Sequence, residues 1–392
     1  MNALLIVEHD FLVHHVGVRR VIFYYWQNLI DAGYTVTLAA PRDGELFISE
    51  PVELAALIEA SRRPSGVDAP CWTTADPVLR SRPVRSEATS SLLAWRDRKV
   101  LLDDFDVTVI TAPWICAQEL PEWRYTAGVV YDLVPNLMAC GALNTGVWLD
   151  IYDFARQHDV GNKFFLDHVD NICCISENTR QDFLNFYALE EDPRIQTVMP
   201  FRVNADARVK PRPVAKGERP RLLLVNVLDP RKNFKGVANA LKIASAEIAF
   251  DVVVVGKERM PISMVFEMLE DMRAAGIAVE WYSEASDDCL DRLYGDADLL
   301  VFPSFYEGLG LPILEAQMHG VATVSSDSSS CAEVNMNAAL CVDPSNHHDL
   351  ARKIINALRD PAAYLDGMAL RQKLEKKVNQ SNNLPFISVN AC

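Results

Sequence analysis

The sequence predicts an α/β protein built from two doubly wound domains, each with a parallel sheet flanked by helices. Apolar strand-like runs alternate with helical stretches through both halves of the chain, which is typical of parallel sheets. Between the halves, residues 201–220 carry prolines at 211, 213 and 220 without apolar periodicity, as expected of a linker. The length of 392 residues is enough for two domains of ordinary size.

In the N-terminal half, an apolar strand opens the chain and leads through a loop and a helix to a second strand. This order starts a doubly wound sheet, and Gly33 marks the end of the helix. A Pro/Ser-rich excursion follows over residues 66–91, and long loops of this kind are often functional. The predicted helices are Val18–Ala32, Val52–Arg62, Ser91–Leu102, Trp148–His168 and a capped helix after Ser176. The predicted strands are Ala3–Val7, Tyr34–Ala39, Val107–Thr111, Gly128–Tyr131, Ile172–Ile175 and Ile195–Met199.

The C-terminal half repeats the same alternation and ends with a predicted helix at His347–Arg359. Its predicted strands are Leu222–Val225, Asp251–Val255, Ala278–Tyr282, Asp298–Phe302, Ala322–Ser325 and Ala339–Val342. We therefore expect an N-terminal domain over residues 1–200, a linker over 201–220, a C-terminal domain over 221–373 and an irregular tail over 374–392.

Composition and simple motifs argue against several classes of function and location. The net charge of −15 and the pI near 5.0 argue against nucleic acid as the main partner, because a phosphate backbone demands basic surface. The nine cysteines form no C-x-x-C pair, so we expect reduced thiols in a cytoplasmic protein. No signal peptide is predicted, and no apolar run approaches the ~18 residues of a membrane-spanning helix. The dinucleotide pattern G-x-G-x-x-G is absent, which removes support for an oxidoreductase.

The prediction of function rests mainly on one stretch, from Val301 to Glu315. Its sequence, VFPSFYEGLGLPILE, predicts a strand end, a turn, a loop with two glycines and a helix whose first position suits Pro312. Backbone N–H groups at such a helix start favour an anion. Glu307 and Glu315 flank this start and can accept hydrogen bonds from hydroxyl groups. Together these features suit a nucleotide-sugar.

Glu307 and Glu315, with seven residues between them, resemble the paired-glutamate motif of retaining GT-B glycosyltransferases in the "glycosyl transferases group 1" family. The run PSFYEGLGLPILEAQMHGVATVSS makes the resemblance specific, and it looks most like the mannosyltransferase branch. The resemblance implies the GT-B fold, in which two Rossmann-like domains face each other across a cleft. Relatives usually end with a helix that crosses back to the first domain, and the tail from Leu374 does not show one.

The segment VNVLDPRKNFKG resembles the family's phosphate-binding segment, in which Lys232 falls on the family's lysine and Arg231 lies beside it. Breaking the sugar–phosphate bond leaves negative charge on the diphosphate, and fixed cations at a helix N-terminus stabilise that charge. A helix start is otherwise a poor place for two cations. The resemblance implies a transfer that uses no metal and no cofactor besides the donor, and this segment holds no Asp-x-Asp pair for a metal.

By the same resemblance, Glu315 would accept hydrogen bonds from the ribose hydroxyls, and Glu307 would contact hydroxyls of the donor sugar. The two loop glycines would let the backbone approach the ligand closely. The donor-binding residues predicted in this domain are Gly256, Lys257, Gly308, Leu309, Gly310, Leu311 and Glu315.

In the first domain, Gly17 and Arg20 match the family's glycine turn, which lies against the donor phosphates and the acceptor. The segment GVVYDLVP matches a family segment in which many relatives have His-Asp-Leu-x-Pro. Tyr131 takes the histidine position, so it can donate a hydrogen bond to a sugar hydroxyl but carries no positive charge near neutral pH. Asp132 keeps the family's aspartate, and its alternative interpretation is a strand-end acid that caps the next turn.

Residues 80–99 are rich in arginine, with leucines and Trp95 between them. One interpretation is a solvated helix with an ordinary buried face. The other is peripheral contact with an anionic membrane or a lipid-diphosphate acceptor.

The predicted function is retaining transfer of a hexose from a nucleotide-diphosphate sugar, GDP-mannose or a UDP-sugar, to a glycan or lipid-linked glycan in polysaccharide biosynthesis. The alternative is a non-catalytic protein on the same fold that binds a nucleotide-sugar or glycan, which Tyr131 and the unusual tail favour. A GT-B epimerase or phosphorylase is a third class, although no phosphorylase-type cofactor lysine motif is present.

Overall fold

The structure is a computed structural model, and it describes residues 1–14, 16–61, 68–80, 93–118, 120–143, 151–204, 207, 209, 219–360, 366–381 and 383–387. The chain divides into two compact units. The first comprises Met1–Arg62, Arg85–Arg202 and Val378–Cys392, and the second comprises Arg63–Val84 and Val203–Lys377. The passage after Arg202 lies at the start of the predicted linker, most of which falls outside the described residues.

The strands of the described residues form two sheets, one in each unit. In chain order they are β1 (Asn2–Ile6), β2 (Thr35–Arg42), β3 (Glu45–Ser49), β4 (Trp72–Thr73), β5 (Trp95–Lys99), β6 (Val107–Ile110), β7 (Tyr125–Val130), β8 (Val169–Cys174), β9 (Ile195–Thr197), β10 (Arg221–Val225), β11 (Asp251–Val255), β12 (Ala278–Tyr282), β13 (Leu299–Phe302), β14 (Thr323–Ser326) and β15 (Cys341–Val342).

The α-helices connect these strands. They are α1 (Phe11–His14), α2 (Val16–Asp31), α3 (Leu54–Ser61), α4 (Val134–Ala139), α5 (Ile151–His168), α6 (Glu177–Phe186), α7 (Phe234–Ser245), α8 (Ile262–Ala274), α9 (Asp287–Asp296), α10 (Leu311–Met318), α11 (Ser329–Val334), α12 (His347–Arg359) and α13 (Gly367–Ser381). In the part of the chain that the structure describes, no helix is long and apolar enough to cross a membrane.

The first unit holds an eight-stranded sheet with the order β5-β3-β2-β1-β6-β7-β8-β9. β1 lies between β2 and β6 and pairs in parallel with both. Its residues Leu4, Leu5 and Ile6 are fully buried, as expected of a parallel strand covered on both faces. At one edge, β3 and β5 continue the sheet in antiparallel pairing.

Edge strand β5 stands where the sequence predicts a helix over Ser91–Leu102. The strand, WRDRK, carries four consecutive charged residues, which an edge tolerates. Arg96 is hydrogen-bonded to Glu50, and Lys99 Nζ lies 2.9 Å from Glu45 Oε1. Glu45 in β3 and Glu50 just after it therefore pair with Lys99 and Arg96, two of the basic residues that the sequence predicted on a helix surface.

The membrane-contact interpretation of residues 80–99 stays a prediction. Residues 81–92, which hold most of the arginine-rich stretch before β5, lie outside the described residues. The described flank before them includes Arg80, whose guanidinium lies 3.0 Å from Asp76.

The second unit holds a seven-stranded sheet with the order β15-β14-β13-β10-β11-β12-β4. β10 is central and pairs in parallel with β11 and β13. Both sheets are dominated by parallel pairs, which confirms the α/β prediction. The edge strand β4 comes from the excursion between the predicted N-terminal elements, and it pairs antiparallel with β12, with Trp72 opposite Trp281.

The chain end differs from the predicted irregular tail over 374–392. Helix α13 covers Gly367–Ser381, and Leu374 and Val378 are buried on it. The chain passes from the second unit to the first within this helix, after Lys377. Helix α13 was not predicted from the sequence because only a few of its positions are apolar.

Candidate functional site

The candidate site in the second unit lies at the carboxyl ends of β10 and β13. These two strands are hydrogen-bonded neighbours although α7, β11, α8, β12 and α9 separate them along the chain. The sheet therefore changes its direction of winding between them, and ligands of doubly wound sheets bind at such a point. The loop after β10 carries Arg231 and Lys232, and the loop after β13 carries Glu307.

The loop after β10 is fixed by its own backbone caps. Asp229 caps the 3-10 turn Pro230–Lys232, with its Oδ1 accepting from the Arg231 N–H at 2.8 Å. Asn233 has a left-handed φ of 64° and caps α7 by accepting from the Gly236 N–H at 3.2 Å. These caps hold two cationic side chains at the start of α7, where the helix dipole disfavours them.

Arg231, Lys232 and Glu307 form one largely buried charge cluster. Lys232 Nζ lies 2.7 Å from Glu307 Oε1, and Arg231 Nη1 lies 3.2 Å from Glu307 Oε2. The exposed fractions of the three side chains are only 12%, 14% and 11% in that order. The buried Asp229 of the same loop also attracts Lys232, so the two cations stand among two carboxylates. The two fixed cations are suited to contact with an anionic ligand.

The pKa values of this cluster follow from burial and mutual attraction. Burial alone would raise the pKa of Glu307, but Arg231 and Lys232 outweigh it and lower the pKa to about 2. The pKa of Lys232 is lowered, because burial disfavours its charged form and the attraction of Glu307 recovers only part of that loss. Glu307 is therefore a carboxylate over the whole physiological pH range.

Three serines fix the loop that carries Glu307. The Ser304 hydroxyl donates to Glu307 Oε1 at 2.7 Å. Ser329 Oγ accepts from the Glu307 N–H at 3.1 Å, and the Ser330 hydroxyl donates to the Glu307 carbonyl at 2.8 Å. Across the site, the Phe305 N–H donates to the Arg231 carbonyl at 2.9 Å, which ties the two loops together. The serines were not predicted from the sequence, because their role depends on contacts between loops.

Helix α10 begins at Leu311, so Pro312 occupies its second position rather than the predicted first. Gly310 is the residue before the helix and has a φ of 90°, which disfavours any side chain there. A Cβ at Gly310 would also come within 3.3 Å of Val334 Cγ2. Leu309 is buried beside it, and Gly308 precedes it in the same loop.

Glu315 lies on α10 and is buried, with an exposed fraction of 8%. The Tyr294 hydroxyl donates to Glu315 Oε2 at 2.7 Å. Glu315 was predicted as a ligand contact, whereas Tyr294 was missed, because a tyrosine on the apolar face of α9 has the pattern of an ordinary core residue.

Gly256 and Lys257 follow β11 at the same edge of the sheet. The Gly256 carbonyl accepts from Trp281 Nε1 at 3.0 Å, and the residue has a φ of 130°. A Cβ there would lie 2.7 Å from Asn226 Oδ1, in the loop after β10. Lys257 is half-exposed and forms an ion pair with Glu284. The structure thus places these two residues in a wall next to the β10 loop.

In the first unit, Gly17 lies in the first turn of α2 and is exposed, with open space where a Cβ would stand. Arg20 is half-buried. The neighbouring Arg19 is buried and donates to the Leu12 and Ser61 carbonyls at 3.4 and 2.9 Å. Arg19 is therefore held within the fold of the first unit by hydrogen bonds to these two carbonyl groups.

Tyr131 and Asp132 follow β7. Tyr131 is buried beside Trp114, with ring centroids 5.5 Å apart, and its hydroxyl has no hydrogen-bond partner within the described residues. Burial raises the pKa of Tyr131 well above its ordinary value, and Glu8 adds to the rise. Asp132 Oδ1 accepts from the Val134 N–H at 2.9 Å at the start of α4, so it makes the turn-capping contact of the alternative interpretation.

Metal binding is not indicated by side-chain clustering. Among the residues that the structure describes, no group of three or more His, Cys, Asp or Glu side chains could hold a metal ion.

Comparison with known proteins finds similarity mainly over the second unit. Residues 206–380, less than half of the chain, match the family model "Glycosyl transferases group 1". The O-antigen chain mannosyltransferase B of Escherichia coli is 31% identical over 140 residues, which are 35% of this chain and 36% of that protein. The chain spans about a third of the length of the curated relatives it matches.

Solved structures support the fold of the whole chain. Sucrose-phosphate synthase from Thermosynechococcus elongatus matches with a TM-score of 0.60 and 16% identity, over 98% of this chain and 95% of that one. Anabaena Alr3699/HepE, solved in complex with UDP and glucose, matches with a TM-score of 0.56 and 12% identity, over 97% of this chain and 100% of that one. The fold is therefore that of GT-B glycosyltransferases, as predicted.

Proposed function

We propose that this chain belongs to the glycosyl transferases group 1 family, whose model its residues 206–380 match, and is a retaining hexosyltransferase that uses a nucleotide-diphosphate sugar. The observation that carries the proposal is the buried cluster of Arg231, Lys232 and Glu307 between the ends of β10 and β13. Two cations held at this point of a doubly wound sheet, beside a helix start, are suited to a diphosphate.

In the proposed reaction, an acceptor hydroxyl attacks the anomeric carbon from the face that the diphosphate leaves. The bond between this carbon and the diphosphate oxygen breaks, and a diphosphate oxygen takes the proton of the hydroxyl. Arg231 and Lys232 supply positive charge where the leaving group gains negative charge, so the transfer needs no metal. Their positions are set by Glu307 and by the caps of the β10 loop, which limits reorganisation during the reaction.

The two acids have different proposed roles. Glu307 holds both cations in place and presents its remaining hydrogen-bonding capacity to hydroxyls of the donor sugar. Glu315 accepts hydrogen bonds from the ribose of the nucleotide. Around them, Gly256, Gly308 and Gly310 keep the backbone close to the donor.

Mannose from GDP-mannose is the favoured donor, because the curated relative quoted above is a mannosyltransferase of an O-antigen chain. A UDP-sugar is the second choice, since the structural neighbour HepE was solved with UDP and glucose. The proposed acceptor is a glycan or lipid-linked glycan. The proposed location of the protein is the cytoplasm, with peripheral contact to the membrane through residues 80–99.

The test is a donor screen with mass-spectrometric detection. Purified protein is incubated with GDP-mannose, GDP-fucose, UDP-glucose or UDP-N-acetylglucosamine, with and without oligosaccharide or lipid-diphosphate acceptors, in EDTA. We expect release of nucleoside diphosphate and a product one hexose heavier, with the anomeric configuration of the donor retained by NMR. Loss of all turnover in EDTA that Mg²⁺ or Mn²⁺ restores would overturn the metal-independent step, and an inverted product would overturn the front-face mechanism.

A non-catalytic binding protein is the second candidate, and Tyr131 favours it. This residue stands at the family's histidine position, is buried and is neutral at physiological pH. Binding of a nucleotide-sugar without transfer or donor hydrolysis under any acceptor would support this candidate. Transfer that falls in Tyr131→Phe without loss of stability would instead give the hydroxyl a part in catalysis.

A further inference from the structure

Tyr294 lies directly behind the carboxylate of Glu315. It stands in the penultimate turn of α9, is 2% exposed, and its hydroxyl donates to Glu315 Oε2 at 2.7 Å. Both partners are buried, so this hydrogen bond to a carboxylate is not shared with bulk solvent. Hydrogen bonds to charged groups are stronger than neutral ones, and burial strengthens them further.

A second contact keeps the Tyr294 ring from turning. The ring stacks on His319, with centroids 5.7 Å apart and planes 7° from parallel. His319 caps the end of α10 and is in turn held by Asp291 on α9, with Nε2 3.0 Å from Oδ1. Helices α9 and α10 are therefore joined by two polar contacts, Tyr294–Glu315 and Asp291–His319.

The start of α9 is also fixed. Ser286 caps the helix by accepting from the Cys289 N–H at 3.0 Å. The Ser286 N–H donates to Asp68 Oδ1 at 3.2 Å, in the excursion that forms β4. The position of Tyr294 along the helix axis is thus defined by contacts at both ends of α9.

We propose that Tyr294 is a positioning residue that makes the site selective for a ribonucleotide. This inference rests on the proposed function, in which Glu315 accepts hydrogen bonds from the ribose hydroxyls. By holding Oε2, Tyr294 sets the plane of the carboxylate, and so the direction from which a ribose hydroxyl must donate. A site built to bind a hydroxyl rejects an analogue that lacks it, because the buried acceptor is then left without its partner.

The experiment measures nucleotide affinity by calorimetry for wild type and Tyr294→Phe. The probes are GDP and UDP, each compared with its 2′,3′-dideoxy analogue. For each protein, the dissociation constant of the dideoxy analogue is divided by that of the ribonucleotide. This ratio does not depend on the folded fraction of the protein. Tyr187→Phe is the matched control, since its hydroxyl also donates to a carboxylate, Asp159 Oδ1 at 3.2 Å, in the first unit.

We expect wild type to prefer the ribonucleotide at least tenfold. Tyr294→Phe should bind the ribonucleotide about tenfold more weakly and the dideoxy analogue as wild type does, so the ratio collapses. Tyr187→Phe should keep the wild-type ratio. Equal weakening of both nucleotides in Tyr294→Phe, or an unchanged ratio, would overturn the inference while the proposed function stands. Absence of binding of GDP and UDP to wild type would overturn both.

Discussion

Replacing Glu307 by glutamine should destabilise the second unit by about 3 kcal/mol at pH 7. The change keeps the size of the side chain but leaves Arg231 and Lys232, with exposed fractions of 12% and 14%, without their shared counter-ion. Two magnitudes agree. The pKa of Glu307 falls from 4.5 to about 2, which corresponds to about 3 kcal/mol in favour of the charged form. Removing one partner of a buried ion pair typically costs about 3–5 kcal/mol.

The pH dependence of this effect has a definite sign. Because the pKa of Glu307 is lower in the folded state, its contribution to stability is complete above about pH 4.5 and is lost as the pH falls towards 2. The difference between wild type and Glu307→Gln should therefore shrink below about pH 4.5. It should also shrink at alkaline pH, because Lys232 without Glu307 loses its proton more readily.

The assay is urea denaturation followed by tryptophan fluorescence, at pH 7 and at several values between 3 and 10. The control is Glu270→Gln, which removes an exposed carboxylate paired with Arg273 at 2.6 Å in the same unit. An exposed pair of this kind contributes at most about 1 kcal/mol. The reasoning fails if Glu307→Gln lies within about 1 kcal/mol of wild type at pH 7, or if the difference is independent of pH.

Three other substitutions test separate parts of the structure by thermal denaturation and transfer assays. Gly161→Ala should prevent folding of the first unit, because its Cβ would stand 1.8 Å from the Pro113 carbonyl oxygen; normal expression and melting would contradict this packing. Gly310→Ala should cost about 1–3 kcal/mol through its φ of 90°, and an unchanged melting temperature would argue against the left-handed start of α10. Gly17→Ala meets open space within α2, so stability should hold or rise by about 0.5–1 kcal/mol, whereas transfer should fall if Gly17 faces the donor.

The centre of the second unit was predictable because β10, β11 and β13 are nearly continuous apolar runs. β11 and β12 have the predicted bounds, and β10 differs from its prediction by one residue. Buried parallel strands carry this signal locally. The loops that follow β10 and β13 were found through motifs whose residues are close in sequence.

The edges of the sheets were not predictable in the same way. β5 has the sequence WRDRK, and its charges suggested a solvated helix rather than an edge strand. β4 has two residues, and Trp72 pairs with Trp281 far along the chain, so no local pattern marks it. Edge strands are defined by what they pair with, and such long-range pairing is not encoded in periodicity.

The same distinction holds within the site. Arg231, Lys232, Glu307 and Glu315 were named from the sequence, but the direct contact between Glu307 and the two cations depends on the distance between two loops. Tyr294 was missed for a related reason, since its hydroxyl acts across two helices.

Calorimetric titration with GDP-mannose and UDP-glucose tests the central claim most directly. Wild type and Lys232→Met are compared. Lys242→Met, which removes the half-buried partner of Asp271 away from the site, is the control. We expect wild type and Lys242→Met to bind one of these donors with equal affinity. Lys232→Met should bind it at least tenfold more weakly, since a charge-assisted contact to phosphate is lost. Binding of neither donor to wild type, or equal binding by Lys232→Met, would contradict the central claim.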